Sequence, residues 1–124
     1  MADTPHRIQR LRTKGWRLPA GAIIVSRPSK WGNPWRAEVV GGVGWCCADA
    51  GGRIIQARDR QDAHDLAVAH FRTWFNQHPT LAAEARAELR GRVLCCWCPP
   101  DVACHADVLL EAANQAPADD GAAP

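Results

Sequence analysis

Four of the six cysteines in this 124-residue chain fall in one short stretch together with a histidine. The stretch reads Cys95-Cys96-Trp97-Cys98-Pro99-Pro100-Asp101-Val102-Ala103-Cys104-His105. It follows an apolar run over residues 91–96 that is typical of a buried strand, and a helical pattern over residues 104–113 begins at its end. The cluster is therefore predicted at a strand-to-helix turn. In open α/β sheets ligands collect at such turns, because helix N-termini leave backbone N–H groups free there.

These residue types are the ligands that zinc accepts in a tetrahedral shell. Because strand side chains alternate between faces, Cys96 and Cys98 are expected on the same face. Cys104 and His105 follow after a short loop and complete a possible Cys₃His set. The spacing, Cys-x-Cys and then Cys-His, differs from the Cys-x-x-Cys of common zinc knuckles. The sequence thus predicts zinc as cofactor, with Cys96, Cys98, Cys104 and His105 as metal ligands.

The same turn also fits a catalytic thiol. A helix N-terminus stabilises a thiolate, so we expect the pKa of Cys104 to fall below the usual value of about 8.5. His105 would then orient Cys104 or serve as general base, and Asp107 would position His105 or complement the helix dipole. A third interpretation is purely structural, with the cysteines filling a tight buried turn under Trp97.

A second group of chemically useful residues follows the β-branched strand pattern of residues 22–26. The loop at residues 27–35 supplies a guanidinium, an ammonium, a hydroxyl, an amide and two indoles, which suit a phosphate and a flat base. The candidate ligand-binding residues are Arg27, Ser29, Lys30, Trp31 and Asn33. A Gly-Asn-Pro segment between tryptophans equally fits a structural turn, and the loop matches neither a Walker loop nor a dinucleotide glycine fingerprint.

Length and composition bound the class of protein. The chain is long enough for one domain, and its hydrophobic content of 47% is sufficient for a core. No apolar run of about 18 residues is present to span a bilayer, and the start lacks a signal-peptide core, so we expect a cytoplasmic protein without a membrane partner. In that reducing compartment clustered cysteines indicate metal binding or thiol chemistry in preference to disulfides.

Basic residues are concentrated at the N-terminal end. Residues 1–36 contain eight basic residues and one acidic residue, a net charge of +7, whereas the remainder carries −5. Such polarity favours a polyanionic partner or a phosphorylated ligand. We expect residues 1–20 to form a basic arm that either contacts nucleic acid or only increases solubility.

The remaining patterns supply the scaffold. Residues 43–47 and 53–57 flank a glycine-containing turn and predict a β-hairpin. Apolar spacing predicts an amphipathic helix over residues 60–77 and a shorter helix over residues 81–89. Together the elements predict a small single-domain α/β fold over residues 1–114, with a central sheet flanked by helices and an inserted hairpin. The Ala/Pro/Asp-rich residues 115–124 predict a disordered tail.

Two segments carry a resemblance to a known family. The loop RPSKWGNPW at residues 27–35 is similar to a family segment RPSKWGNPF, and residues 94–109 are similar to a segment LxCWCxP…CHxDVL. Both belong to bacterial and phage proteins catalogued as domain of unknown function 4326. The resemblance covers about residues 7–114 and includes the run RLRTKGW at residues 10–16.

Carried over by position, the matched signature residues are Cys96, Cys98, Cys104, His105 and Asp107. Cys95 falls at a variable small-residue position, Trp35 stands where phenylalanine is usual, Ser26 stands where glycine is frequent, and the hairpin at residues 41–57 looks like an insertion. The resemblance brings no activity with it. It implies that the loop after the first strand and the turn after the last strand form one site, and it places the protein in a bacterium or a phage-infected host.

The strand positions inferred from the residues alone also bring the loop and the turn together at one site. If the two strands are parallel neighbours, both loops emerge at one sheet edge, the usual crevice for a phosphorylated ligand. We expect a nucleotide-like small molecule to bind there, with hydrolysis or group transfer carried out by zinc or Cys104. The alternatives are a nucleic-acid-binding module with a structural zinc, and a thiol-based redox or sulfur-transfer protein. Substrate and oligomeric state are left open by the sequence.

Overall fold

The structure, a computed structural model, describes residues 5–115. The first residues of the expected basic arm and residues 116–124 of the expected disordered tail lie outside this range. The elements in chain order are β1 Arg7–Gln9, β2 Ile23–Ile24, β3 Arg36–Val40, β4 Gly44–Ala48, β5 Ile54–Gln56, α1 Arg60–Asn76, α2 Pro79–Glu88, β6 Leu94–Cys96 and α3 His105–Asn114. The predicted α/β class is confirmed, as a single small domain.

A three-stranded parallel sheet, in the order β1-β6-β2, positions the cysteine turn. Its central strand β6 is buried at every position, as expected for an apolar strand with neighbours on both sides. Because β2 and β6 are parallel neighbours, as predicted, the loops that follow them leave the sheet at the same edge. The N-terminal segment is more than an arm, because Arg7–Gln9 pairs with Leu94–Cys96.

The second sheet is antiparallel, in the order β3-β4-β5. The predicted hairpin is present as β4 and β5, with Asp49 and Gly52 in the connecting turn. Strand β3, which the sequence did not predict, joins the hairpin, so that the inserted hairpin forms a sheet separate from the parallel one. Strand β3 gives a weak sequence signal because exposed and partly buried positions do not alternate along it.

Helices α1 and α3 begin and end within one residue of the bounds predicted from the sequence, and α2 within two residues. All three helices pack around the core. Helix α1 starts after the N-cap Asp59, whose carboxylate accepts the backbone N–H of Asp62 at 2.8 Å. Helix α1 contacts β3, β4 and α3, while α3 also packs on α2 and β6. The largest fully buried apolar side chains are Phe71, Leu89, Leu94, Leu109 and Val25. None of the helices within residues 5–115 has the length and apolarity needed to cross a bilayer.

Candidate metal centre and ligand cavity

Three sulfur atoms meet where β6 ends and α3 begins. Cys96 is the last residue of β6, Cys98 lies in the following turn, and Cys104 is the N-cap residue of α3. The three Sγ atoms lie within 4.8 Å of one another, and those of Cys96 and Cys104 are 3.0 Å apart. Three thiols at this separation could hold a metal ion. We call these three residues the sulfur cluster.

Cys95 stays outside the sulfur cluster. It alternates with Cys96 along β6 and is fully buried. Burial raises the pKa of the Cys95 thiol, because a thiolate is poorly stabilised away from water. Cys95 therefore remains a protonated packing residue.

His105 lies beside the sulfur cluster and is oriented by a backbone carbonyl. Its Nε2 atom is 2.8 Å from the carbonyl oxygen of Val25, and since a carbonyl only accepts, Nε2 carries the proton. Burial lowers the pKa of His105, which favours the neutral ring. The unprotonated Nδ1 atom is left 3.6 Å from the Sγ atom of Cys104. Metal-binding histidines are usually held in this way, with the second ring nitrogen donating to a carbonyl or carboxylate.

The thiols of the sulfur cluster differ in pKa. Hydrogen bonds from the Cys104 and Cys98 thiols lower the pKa of Cys96. The bond to Cys96, together with burial, raises the pKa of Cys104, although its sulfur also accepts the backbone N–H of Ala106 at 3.4 Å. Negative charge is thus expected on Cys96. The prediction of a lowered pKa at Cys104 took account of the helix terminus but not of the second thiol.

Asp107 and Arg7 hold the turn around the sulfur cluster. One carboxylate oxygen of Asp107 accepts the backbone N–H of Cys104 at 3.1 Å, and the other accepts Nε–H of Arg7 at 2.9 Å. Arg7 also donates to the carbonyl oxygens of Pro99, at 3.3 Å, and Val102. Asp107 is therefore a helix cap, and its hydrogen bonds go to these groups and not to the neighbouring histidine. Arg7 was not among the site residues predicted from the sequence, because only its charge was apparent there.

A cavity of about 390 Å³ opens onto the sulfur cluster. All three thiols and His105 contribute to its lining. Two guanidiniums, two indoles and a second imidazole line it as well, from Arg27, Arg36, Trp35, Trp97 and His64. Of the five ligand-binding residues predicted from the sequence, the cavity lining includes Arg27 and Asn33.

The other three, Ser29, Lys30 and Trp31, anchor the loop elsewhere. The indole of Trp31 is 5% exposed and belongs to the core. The ammonium of Lys30 donates to Glu84 and Glu88 of α2, at 2.9 and 2.8 Å. The Ser29 hydroxyl accepts the backbone N–H of Trp31 at 3.3 Å. The loop is thus fixed to the body of the protein on the side away from the cavity lining.

These anchors leave Arg27 at the cavity. A Cβ atom on Gly32 would lie 2.5 Å from Cγ and 2.9 Å from Cα of Arg27, so the turn closes this tightly only with glycine. Asn33 donates to the carbonyl of Ala67 at 3.2 Å and accepts the backbone N–H of Trp35 at 2.9 Å, which fixes the loop against α1. Among residues 5–115, Arg27 has no hydrogen-bonding or ion-pair partner.

Four lining residues with cationic or aromatic side chains were not among the candidates from the sequence. Arg36, which pairs with Glu38 at 2.7 Å, begins the unpredicted strand β3. Trp35 stacks on His70 with ring centroids 5.5 Å apart. The other two are Trp97 and His64, and burial lowers the pKa of His64, which keeps its ring neutral near pH 7.

A family model described as "Domain of unknown function (DUF4326)" matches residues 8–115. The matched range contains the loop at residues 27–35, the sulfur cluster and every cavity-lining residue named above. No curated protein and no solved structure matches the chain significantly.

Proposed function

Since this chain belongs to the DUF4326 family, a domain of unknown function, we propose a function from the geometry of its cavity. The cavity binds a nucleotide-like phosphorylated small molecule, and a zinc ion held at the sulfur cluster serves hydrolysis or group transfer on it. One observation carries the proposal: cations, aromatic rings and three clustered thiols line the same cavity.

The donor set fits zinc. Three sulfurs with an adjacent imidazole nitrogen match the soft, tetrahedral coordination that zinc prefers. The guanidinium of Arg7 and the first turn of α3 both favour the thiolate forms that metal binding requires. Held by the three sulfurs alone, zinc would keep one position of its tetrahedral shell for an oxygen of water or ligand and would supply Lewis acidity towards it. Cys104 then acts as a metal ligand that Asp107 holds in position, whereas His105 would be the fourth ligand only of a closed, structural site.

The cavity also fits a nucleotide. Its volume of about 390 Å³ lies within the range of small-molecule sites, which is roughly 300–1,000 Å³. Arg27, unpaired within residues 5–115, can donate two parallel hydrogen bonds to a phosphate. Trp35 and Trp97 offer apolar surface to a base or sugar.

His64 is the proton acceptor in the proposed reaction. A neutral imidazole accepts a proton near pH 7, and burial keeps His64 in that form. In the hydrolytic version water forms the new bond at the scissile centre, His64 takes its proton, and the leaving group departs with the electron pair of the broken bond. Six cysteines without a disulfide support the part of the proposal that concerns location, namely a reducing compartment, which we take to be the cytoplasm of a bacterium or a phage-infected host.

The test is nucleotide binding by Arg27→Gln, measured by calorimetry against the common nucleosides and their phosphates. Loss of a hydrogen bond to a charged group costs about 1.5–3 kcal/mol, so phosphate binding is expected to weaken at least tenfold. The matched control is Arg90→Gln, at an exposed residue outside the cavity lining, which leaves affinity unchanged. Equal binding by Arg27→Gln and wild type, or no binding of any nucleotide, contradicts the proposal.

A further inference from the structure

Two further arginines lie over one indole at the rim of the cavity. The guanidinium carbons of Arg10 and Arg12 are 4.3 and 4.4 Å from the ring centroid of Trp97. Trp97 itself lines the cavity. The pairing of β1 with β6 explains this placement, since the backbone N–H of Arg10 continues the sheet by donating to the carbonyl of Cys96 at 2.6 Å. The basic N-terminal segment therefore reaches the cavity through the sheet.

These guanidiniums have no acidic partner in the part of the chain that the structure describes. Arg10 donates to the Ser26 hydroxyl at 3.1 Å, while its Nε atom is buried and lacks a hydrogen-bond partner there. The guanidinium of Arg12 makes a cation–π contact with the ring of Trp97 and has no hydrogen-bond partner among the described residues. Other basic side chains are neutralised by carboxylates, namely Arg7, Lys30, Arg36, Arg58, Arg60 and Arg72. The unneutralised cations of Arg10 and Arg12 therefore both contact Trp97, a residue of the cavity lining.

Arg27 belongs to the same group. It directly follows Ser26, the residue to which Arg10 is bonded, and both Ser26 and Arg27 line the cavity. An indole face holds a guanidinium in place and keeps its N–H groups free to bond outwards. Several guanidiniums fixed near one another without a counterion form a site for an anion with more than one negative charge.

We propose that Arg10 and Arg12, held on Trp97, form together with Arg27 a phosphate clamp at the cavity mouth. The ligand is accordingly a nucleoside with at least two phosphate groups nearby, either the diphosphate of a free nucleotide or two successive phosphodiesters of a single strand. This inference rests on the proposed function, since it assumes that the cavity takes the nucleoside. It assigns phosphate binding to the N-terminal segment, where the sequence had indicated only a basic arm.

The probes that test the clamp are the common nucleosides, their 5′-mono- and diphosphates, inorganic pyrophosphate and a short single-stranded oligonucleotide. Calorimetry compares wild type with Arg10→Gln and Arg12→Gln. Each substitution is expected to weaken diphosphate binding about tenfold and to leave nucleoside binding unchanged. The control Arg17→Gln removes an exposed charge from the same basic segment and leaves every affinity unchanged.

Salt dependence distinguishes the two sources of phosphate. For a strand, the logarithm of the affinity falls steeply with the logarithm of salt concentration, and each lost phosphate contact reduces the slope by about one. A free nucleotide shows a shallower slope, and a diphosphate then binds more tightly than the oligonucleotide. Either result supports the clamp, provided that Arg10→Gln and Arg12→Gln weaken the binding.

Two results overturn the inference. If wild type and both variants bind the diphosphate equally, the clamp is wrong while the proposed function stands. If no probe binds to the wild type, both are wrong. Arg12 is exposed and bonds to no described backbone group, so Arg12→Gln keeps the fold even if Arg10→Gln, which loses the bond to Ser26, does not.

Discussion

Individual side chains around the sulfur cluster stabilise negative charge or hold the turn that carries it. The backbone N–H of Ala106 donates to the sulfur of Cys104, and the Sγ atoms of Cys96 and Cys104 lie within hydrogen-bonding distance, 3.0 Å apart. Arg7 brings a positive charge and ties the turn to α3. Metal binding needs deprotonated thiols in fixed positions, so residues that never touch the ion are expected to set its affinity.

Arg7 gives a direct test of that expectation. Arg7→Gln removes the ion pair with Asp107, and loss of such outer contacts typically weakens metal binding about 10–100-fold. The measurement is zinc affinity by competition with a chromophoric chelator. Arg58→Gln is the matched control, since it breaks the pair of an exposed arginine with Asp62 outside the cavity lining and should leave affinity unchanged. Similar zinc affinities for Arg7→Gln and wild type would contradict this role.

At the scale of single residues, the sequence was sufficient to predict the three cysteines of the sulfur cluster. It was not sufficient to predict which side chains of the loop at residues 27–35 line the cavity. Strand alternation and short spacing were sufficient to bring Cys96, Cys98 and Cys104 together, because the contacts are local. The positions of Lys30 and Trp31 depend on α2 and the core, about fifty residues further along the chain. Residue type alone therefore could not show that they face away from the cavity.

Among the structural elements, the turn at residues 27–32 has the strictest steric requirement. The carbonyls of Ser26 and Ser29 accept backbone N–H groups of Ser29 and Gly32, at 3.1 and 3.0 Å, and the chain folds back onto Arg27. Gly32 approaches the backbone of Arg27 closely enough to exclude a side chain. The geometry of this element decides where the guanidinium of Arg27 lies.

We expect Gly32→Ala to lower the free energy of unfolding by about 1–3 kcal/mol, the usual cost of overpacking. The substitution should also weaken phosphate binding, because the added Cβ displaces Arg27. Gly41→Ala is the control, as a Cβ at Gly41 meets nothing within 4 Å. Denaturant unfolding of both variants measures the effect. Equal stability of Gly32→Ala and Gly41→Ala would show that the turn tolerates the side chain.

The elements differ in how well sequence patterns predict them. Helix α1, expected over residues 60–77 and observed over Arg60–Asn76, has a local cap and a local apolar face. Strands β1 and β3 were missed, because each is short and is held by a partner strand. In the case of β1 that partner is β6, at the other end of the chain. Without β3, the first residues of that strand could not be assigned to the cavity.

For the whole molecule, helix α1 packs on the antiparallel sheet and on α3 and contributes to the cavity lining. It packs on β3 and β4 on one side and on α3 on the other, and His64 and Ala67 face the cavity from it. Part of the charge polarity of the sequence acquires a location, since Arg27 lines the cavity and the guanidiniums of Arg10 and Arg12 contact Trp97, another lining residue. Cavity, sulfur cluster and charge therefore coincide at the edge of the parallel sheet where β2 and β6 end.

Zinc at the sulfur cluster is the claim on which the proposed chemistry depends. The direct measurement is metal content per chain by mass spectrometry of freshly purified protein, with thiols counted before and after chelation. We predict about one zinc per chain, with Cys96, Cys98 and Cys104 masked until zinc is removed. Cys96→Ala should lose the metal and Cys95→Ala should keep it. Metal-free wild-type protein with a fast-reacting thiol at neutral pH would contradict the account and favour thiol chemistry instead.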